Sequence, residues 1–174
     1  MDGVPQTRLF LALWPDPAIR HALRERRDAW NWPRGASPVH TDKLHMTLHF
    51  LGELPSERVP ELQRGFSVPF TPFTLSIGMP KLWPHGVAVL EPHEEPAALL
   101  ELHANLSSAL VALGLQPEAR KYRPHVTLAR RANGVIVPPE APPLVWKIDG
   151  YALVESKPGE GGGYTVLQQY GTAA

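Results

Sequence analysis

The sequence contains no cysteine. Disulfides, zinc–thiolate sites, iron–sulfur clusters and cysteine nucleophiles are excluded together, and any metal site would need His, Asp and Glu. Excess positive charge is absent too: 17 Lys and Arg balance 17 Asp and Glu. Proteins that grip a long nucleic-acid backbone usually carry a basic excess, because affinity rests on neutralising many phosphates. A nucleic-acid substrate is therefore expected to be an end or a short segment. No apolar run approaches the roughly 18 to 20 residues of a membrane span. No basic region followed by an apolar stretch marks a signal peptide, so a cytoplasmic location is expected.

What is present is an ordinary globular profile, with 174 residues, 43% hydrophobic and 20% charged. That length supports one domain with a sizeable core, or one domain built of two small lobes. The 20 prolines and 14 glycines fall between patterned segments and read as turn punctuation.

Two tetrapeptides stand out, His45-Met46-Thr47-Leu48 and His125-Val126-Thr127-Leu128. Both read as short strands, in which alternation puts His and Thr on one face and the apolar pair on the other. Lys43 and Arg123 each stand two residues before the His. Brought together, the two segments supply two proton-transfer groups and two hydroxyl donors around one small anionic centre. That constellation suits phosphoester chemistry.

The surrounding elements repeat. Residues 8–14 form an apolar run ended by Pro15, read as a central strand. Asp16-Pro17 then gives an N-cap and a proline at the first helical position, opening a helix to about Trp30 with Ile19, Leu23 and Trp30 apolar. Residues 31–38 read as loop, 44–51 as a strand stopping at Gly52, 59–66 as a short helix and 70–77 as a strand. Residues 86–92 resemble the first strand and its proline. A helix follows from about Pro96 to Leu113, with a leucine stripe and Gly114 as its stop. The second motif then occupies a strand over 125–130. So each His lies in a matching place of a strand–helix–strand unit, which predicts internal duplication, with pseudo-two-fold symmetry setting the motifs across a shared cleft. Residues 131–143 form a Pro-rich loop. Residues 144–155 and 164–169 read as a final hairpin across the Gly-rich turn Pro158–Gly163. That turn lacks the Lys-Ser/Thr of a phosphate-binding loop.

With Arg8–Pro15, Leu44–Glu53 and Arg123–Arg130 as the carrying segments, the chain resembles the two-histidine (2H) phosphoesterase superfamily. Within it, the likeness is to LigT-like RNA 2′,3′-cyclic phosphodiesterases, also called 2′-5′ RNA ligases, and it runs over nearly the whole chain. The resemblance implies an α+β fold of two lobes, each an antiparallel sheet flanked by helices, with a central cleft. One domain over residues 1–174 would then consist of two intertwined lobes carrying one motif each. It also implies metal-free, cofactor-free hydrolysis of a 2′,3′-cyclic phosphate on an RNA end to a 2′-phosphate. Related joining or cleavage of 2′-5′ bonds would use the same centre, in a monomer without membrane attachment.

The chemistry also follows from the residues. Ring opening needs a base for the attacking water and an acid for the departing ribose oxygen, and imidazole, with an unperturbed pKa of about 6.5, serves as either. Thr47 and Thr127 hydroxyls can donate to the phosphoryl oxygens as charge develops. The symmetric motif does not decide which His is acid. The resemblance assigns His45 as proton donor and His125 as proton acceptor.

Arg130 is a third candidate, because guanidinium holds phosphate through two hydrogen bonds. Strict alternation puts it on the face opposite His125, so a bulge or strand end must turn it. Lys43, Lys121 and Arg123 form a candidate positive rim. His49 shares the face of His45 by parity, which leaves it either lining the cleft or structural. Phe10 and Phe50 are read as core. No HExxH or similar ligand set occurs. Two other readings stay open: a phosphodiesterase for a small cyclic nucleotide or ADP-ribose cyclic phosphate, and an RNA-end-binding protein without turnover.

Overall fold

The computed structural model describes residues 3–159 and 162–171. It is α+β, with one curled antiparallel sheet and three α-helices among the described residues. The first strand, β1 (Gln6–Leu13), ends at Pro15 as expected. Helix α1 (Pro17–Asp28) opens where Asp16 Oδ1 accepts the Ile19 N–H at 2.8 Å. This is the side-chain N-cap that the Asp-Pro pair encodes. The helix stops two residues short of Trp30, which is nevertheless buried, stacked on Trp32.

The remaining elements are β2 (Ser37–Pro38), β3 (Met46–Pro55), α2 (Val59–Gly65), β4 (Phe73–Trp83), β5 (Val87–Pro92), α3 (Ala97–Ala112), β6 (Val126–Arg130), β7 (Leu144–Ile148), β8 (Gly150–Ser156) and β9 (Tyr164–Gly171). They lie in the order β7-β4-β5-β6-β3-β1-β8-β9, with β2 added beside β6. The two strand–helix–strand units, β1-α1-β3 and β5-α3-β6, therefore back onto each other at the middle of the sheet. There β3 and β6 share a single register pair, Met46 with Val126. Each of these residues directly follows a motif histidine. The two strand–helix–strand halves are thus joined edge to edge in one antiparallel sheet.

One face of the sheet carries the main core. Leu9, Leu11 and Leu13 of β1 pack there with Leu23 of α1, Phe66, and the α3 stripe Leu99, Leu102, Leu106 and Leu110. The other face of β1 and β8 holds a small second cluster of Phe10, Ala12, Ala152 and Val154, with Trp14 and Tyr164 against it. The cleft opens on this second face.

Four local readings are corrected. Gly52 does not end its strand. It takes a left-handed φ of 78° at a bulge, and β3 runs on to Pro55. Residues 37–38, read as loop, pair with β6. Strand β4 continues to Trp83 through Gly78 and Pro80. The run read as one strand from Leu144 is two: β7 pairs β4 on one side of the sheet, and β8 pairs β1 and β9 on the other. The burial pattern shows the break. Alternation holds for Leu144, Trp146 and Ile148, then gives way to continuous burial over Tyr151–Val154, a segment covered on both faces. Residues 160–161 of the Gly-rich turn lie outside the described residues.

Candidate active site

His45 and His125 each sit one residue before a strand, so their rings are free of the pleat while the next residue anchors them to the sheet centre. Each ring is locked in the same way. Nδ1 of His45 donates to the Lys43 carbonyl at 2.6 Å, and Nδ1 of His125 donates to the Arg123 carbonyl at 2.8 Å. With Nδ1 carrying the proton, Nε2 is left as the reactive nitrogen on both rings. In His45 it accepts the Thr47 hydroxyl at 2.8 Å.

Both rings line one cleft of about 660 Å³ together with Thr47, Thr127 and Arg130. All five site residues expected from the sequence therefore meet in one place. The parity objection to Arg130 is met by a bulge. Thr127 opposes Val89 while Ala129 opposes Ala88, so Leu128 is the extra residue. Leu128 and Ala129 are consecutively buried, and Arg130 returns to the face of His125 and Thr127. The first motif is built identically: Thr47 opposes Ala12 and His49 opposes Leu11, which leaves Leu48 as the extra residue. This bulge turns His49 away from the cleft. It is buried beside α3, its ring stacked on His103 at 4.0 Å and its Nε2 bonded to the His103 carbonyl at 3.0 Å. The same bulge turns Phe50 outward, 60% exposed at the cleft, so its reading as core is corrected.

Aromatic rings lie against each imidazole, three at His45 and one at His125. Phe10 lies 4.9 Å from the His45 ring, Trp14 5.8 Å and Tyr164 5.5 Å, the last edge-on. Trp83 lies 4.2 Å from His125, with the Arg123 guanidinium also 4.2 Å from the indole. Trp83 donates its N–H to Glu91, which also binds Lys81 and Arg123. Burial alone would raise the Glu91 carboxyl, but these hydrogen bonds and the Arg123 charge outweigh it and hold it below its usual range. Tyr122 donates its hydroxyl to the Thr47 carbonyl at 2.9 Å, fixing the backbone at the first bulge. Sequence reasoning passed over Trp83 and Tyr122. One signal was present for the first: Trp14-Pro15 and Trp83-Pro84 both close a strand, and each indole lies against a cleft histidine.

Burial sets the charge state of the rings. It pushes His45 down to about 4, aided by the Arg20 and His125 charges and opposed by the hydrogen bond to Lys43. His125 is also lowered, first by burial, despite the Arg123 carbonyl and the Glu91 charge. Both are neutral at pH 7 in the empty cleft. The folded state thus binds fewer protons than the unfolded one between about pH 6.5 and 4, so stability is full above this window and falls as pH drops through it. For His45 the loss amounts to about 3 kcal/mol over the window. Urea unfolding measured from pH 7.5 to 4 is expected to show this fall, with a shallower slope in His45→Gln. Equal slopes would mean that the ring is not neutralised by folding.

Among the described residues no group of three or more His, Asp or Glu is placed to hold a metal, and no helix is long and apolar enough to cross a membrane. Two His-x-Thr elements back to back at the centre of a curled antiparallel sheet are the features of the two-histidine class. The chain belongs to the 2′-5′ RNA ligase superfamily, whose family profile matches residues 15–160. It is 35% identical over 185 residues to an RNA 2′,3′-cyclic phosphodiesterase of Thermus thermophilus, covering 94% of this chain and 89% of that one. The RNA 2′,3′-cyclic phosphodiesterase of Escherichia coli is 32% identical over 151 residues, covering 85% and 83%. The crystal structure of E. coli LigT complexed with 3′-AMP superposes with a TM-score of 0.86 at 28% identity, covering 98% of this chain and all of that one.

Proposed function

We propose that the chain hydrolyses the 2′,3′-cyclic phosphate at an RNA end to a 2′-phosphate, with His45 as proton donor and His125 as proton acceptor. The observation that carries this reading is the meeting of both His-x-Thr elements in one cleft, each Nδ1 tied to a backbone carbonyl so that the other ring nitrogen, Nε2, is the one available for proton transfer. Water attacks phosphorus while His125 Nε2 takes its proton. The bond from phosphorus to O3′ breaks, and His45 Nε2 delivers a proton to O3′, leaving a 3′-hydroxyl and a 2′-phosphate. Thr47, Thr127 and Arg130 donate to the non-bridging oxygens as negative charge grows there.

The low pKa of His45 in the empty cleft runs against a proton donor until substrate arrives. The anionic phosphodiester supplies the missing counter-charge, raises the ring and lets it carry the proton in the complex. The order of acid and base follows the family resemblance. With the 5′-hydroxyl of a second RNA end attacking in place of water, the same transfers, His125 taking the hydroxyl proton and His45 protonating O3′ as its bond to phosphorus breaks, would form a 2′-5′ bond. The protein acts as a single two-lobed domain, monomeric and cytoplasmic, on RNA ends.

Purified protein is expected to hydrolyse a cyclic-phosphate-ended RNA at an unchanged rate in EDTA, because two imidazoles suffice for both proton transfers. Free cyclic nucleotides run alongside separate an RNA-end enzyme from one for small cyclic phosphates. Activity lost to chelation and restored by a divalent ion would overturn the acid–base scheme. Binding of the RNA end without turnover would replace it with a recognition role.

A further inference from the structure

The cleft is larger than one phosphate requires, and its lining is one-sided in charge. Arg8, Lys43, Arg120 and Arg130 line it, with no Asp or Glu among the described residues, although the chain as a whole is neutral. Two of these cations already have partners: Arg120 pairs with Glu118, and Lys43 lies 5.3 Å from the Tyr164 ring. Arg8 and Arg130 form no hydrogen bond or ion pair among the described residues. Arg130 stands next to His125 in the reaction scheme. Arg8 stands elsewhere, and the proposed chemistry does not use it.

Strand register gives Arg8 two neighbours of matching chemistry. It lies opposite Ser156 of β8, and Ser156 lies opposite Tyr164 of β9. Directly opposed residues of antiparallel strands project to the same face, so the three form one row across three adjacent strands. All three line the cleft. Tyr164 links the row to the reaction centre by standing edge-on to His45 at 5.5 Å. Burial raises the Tyr164 phenol, while the Arg130 and Arg8 charges oppose that rise, which keeps the group a hydrogen-bond donor beside both guanidiniums. The register partner of Arg8 on β3 is an acid, Glu53. Glu53 forms no ion pair with Arg8 and does not line the cleft. A guanidinium and two hydroxyls with no internal acceptor are a donor set for a phosphate oxyanion.

We propose that Arg8, Ser156 and Tyr164 form a second phosphate subsite, which takes the phosphodiester on the 5′ side of the terminal nucleotide while the cyclic phosphate lies between the histidines. This inference rests on the cyclic-phosphate reading and adds a length requirement. The cleft selects an oligonucleotide end over a free nucleoside 2′,3′-cyclic phosphate by holding two successive phosphates, not by a global positive charge.

The test compares three substrates on the intact protein: a nucleoside 2′,3′-cyclic phosphate, a dinucleotide ending in the same cyclic phosphate, and that dinucleotide with a neutral methylphosphonate in its internal linkage. The wild type is expected to prefer the charged dinucleotide over the methylphosphonate by about tenfold or more in kcat/KM, mostly through KM. Arg8→Ala should shrink that preference to near unity, and Arg8→Lys should restore part of it through a point charge. Tyr164→Phe, which keeps the ring against His45 and deletes the hydroxyl, should shrink it in the same direction. No wild-type preference for the charged linkage, or an Arg8→Ala loss equal on all three substrates, would overturn the subsite. Failure of the wild type to hydrolyse any of the three would instead overturn the cyclic-phosphate reading.

Discussion

His45→Ala and His125→Ala are each expected to lower turnover by at least about a hundredfold with the fold largely retained, equivalent to about 3 kcal/mol of transition-state stabilisation. Neither ring is a core packing element. Each precedes its strand and lines the cleft, with a hydrogen bond to the carbonyl two residues earlier and aromatic rings beside it. The double variant should lose much less than the product of the single losses, because an acid and a base working on one step act as a unit. Steady-state kinetics on cyclic-phosphate-ended RNA, with circular dichroism as the folding control, checks both statements. A single variant with near-normal activity would remove that residue from the chemistry.

The second large effect falls on the hydroxyls. Thr47→Val and Thr127→Val keep shape and β-branching but delete the donors assigned to the phosphoryl oxygens. Turnover is expected to fall about ten- to a thousandfold, with substrate binding weakened less, since those donors matter most as charge develops. The two should differ in one respect. Thr47 donates to His45 Nε2 in the empty cleft, so its removal also frees the imidazole, whereas Thr127 has no such contact. Arg130→Ala, by contrast, should weaken binding of the phosphate end as well as slowing turnover. Valine variants that lose stability yet keep their specific activity would make the hydroxyls structural.

The parts of this architecture legible in the sequence are those with local causes. The Asp16-Pro17 cap, the α3 leucine stripe closed by Gly114 at φ 78°, and the run ended by Pro15 each carry their signal within a few residues. The four motif residues were legible because the pattern occurs twice. What was not legible depends on register. Nothing about Leu48 or Leu128 marks it as the extra residue of a bulge, since a bulge is set by the partner strand, β1 in one case and β5 in the other. That feature accounts for two misplacements, His49 assigned to the face of His45 and Phe50 to the core, and it supplies the turn that Arg130 needed to reach the cleft. Likewise the split at Asp149 is invisible locally, because β7 and β8 find partners at opposite sides of the sheet. Tyr122 acts through a contact to a distant strand, which a linear reading has no means of pairing.

The twin bulges have a consequence for how the cleft distinguishes its two ends. A scaffold of two equal halves would accept an elongated ligand equally well in either direction. The bulges deliver the residue five places after each histidine to equivalent positions at the cleft, and there the halves stop being equal: one presents the Phe50 ring, the other the Arg130 guanidinium. Duplication thus supplies the paired proton relays, and this divergent position adds to their polarity, an oily flank on one half and a cationic one on the other. Exchanging these two side chains, Phe50→Arg with Arg130→Phe, would leave both histidines and both threonines in place while moving the cationic flank to the other half.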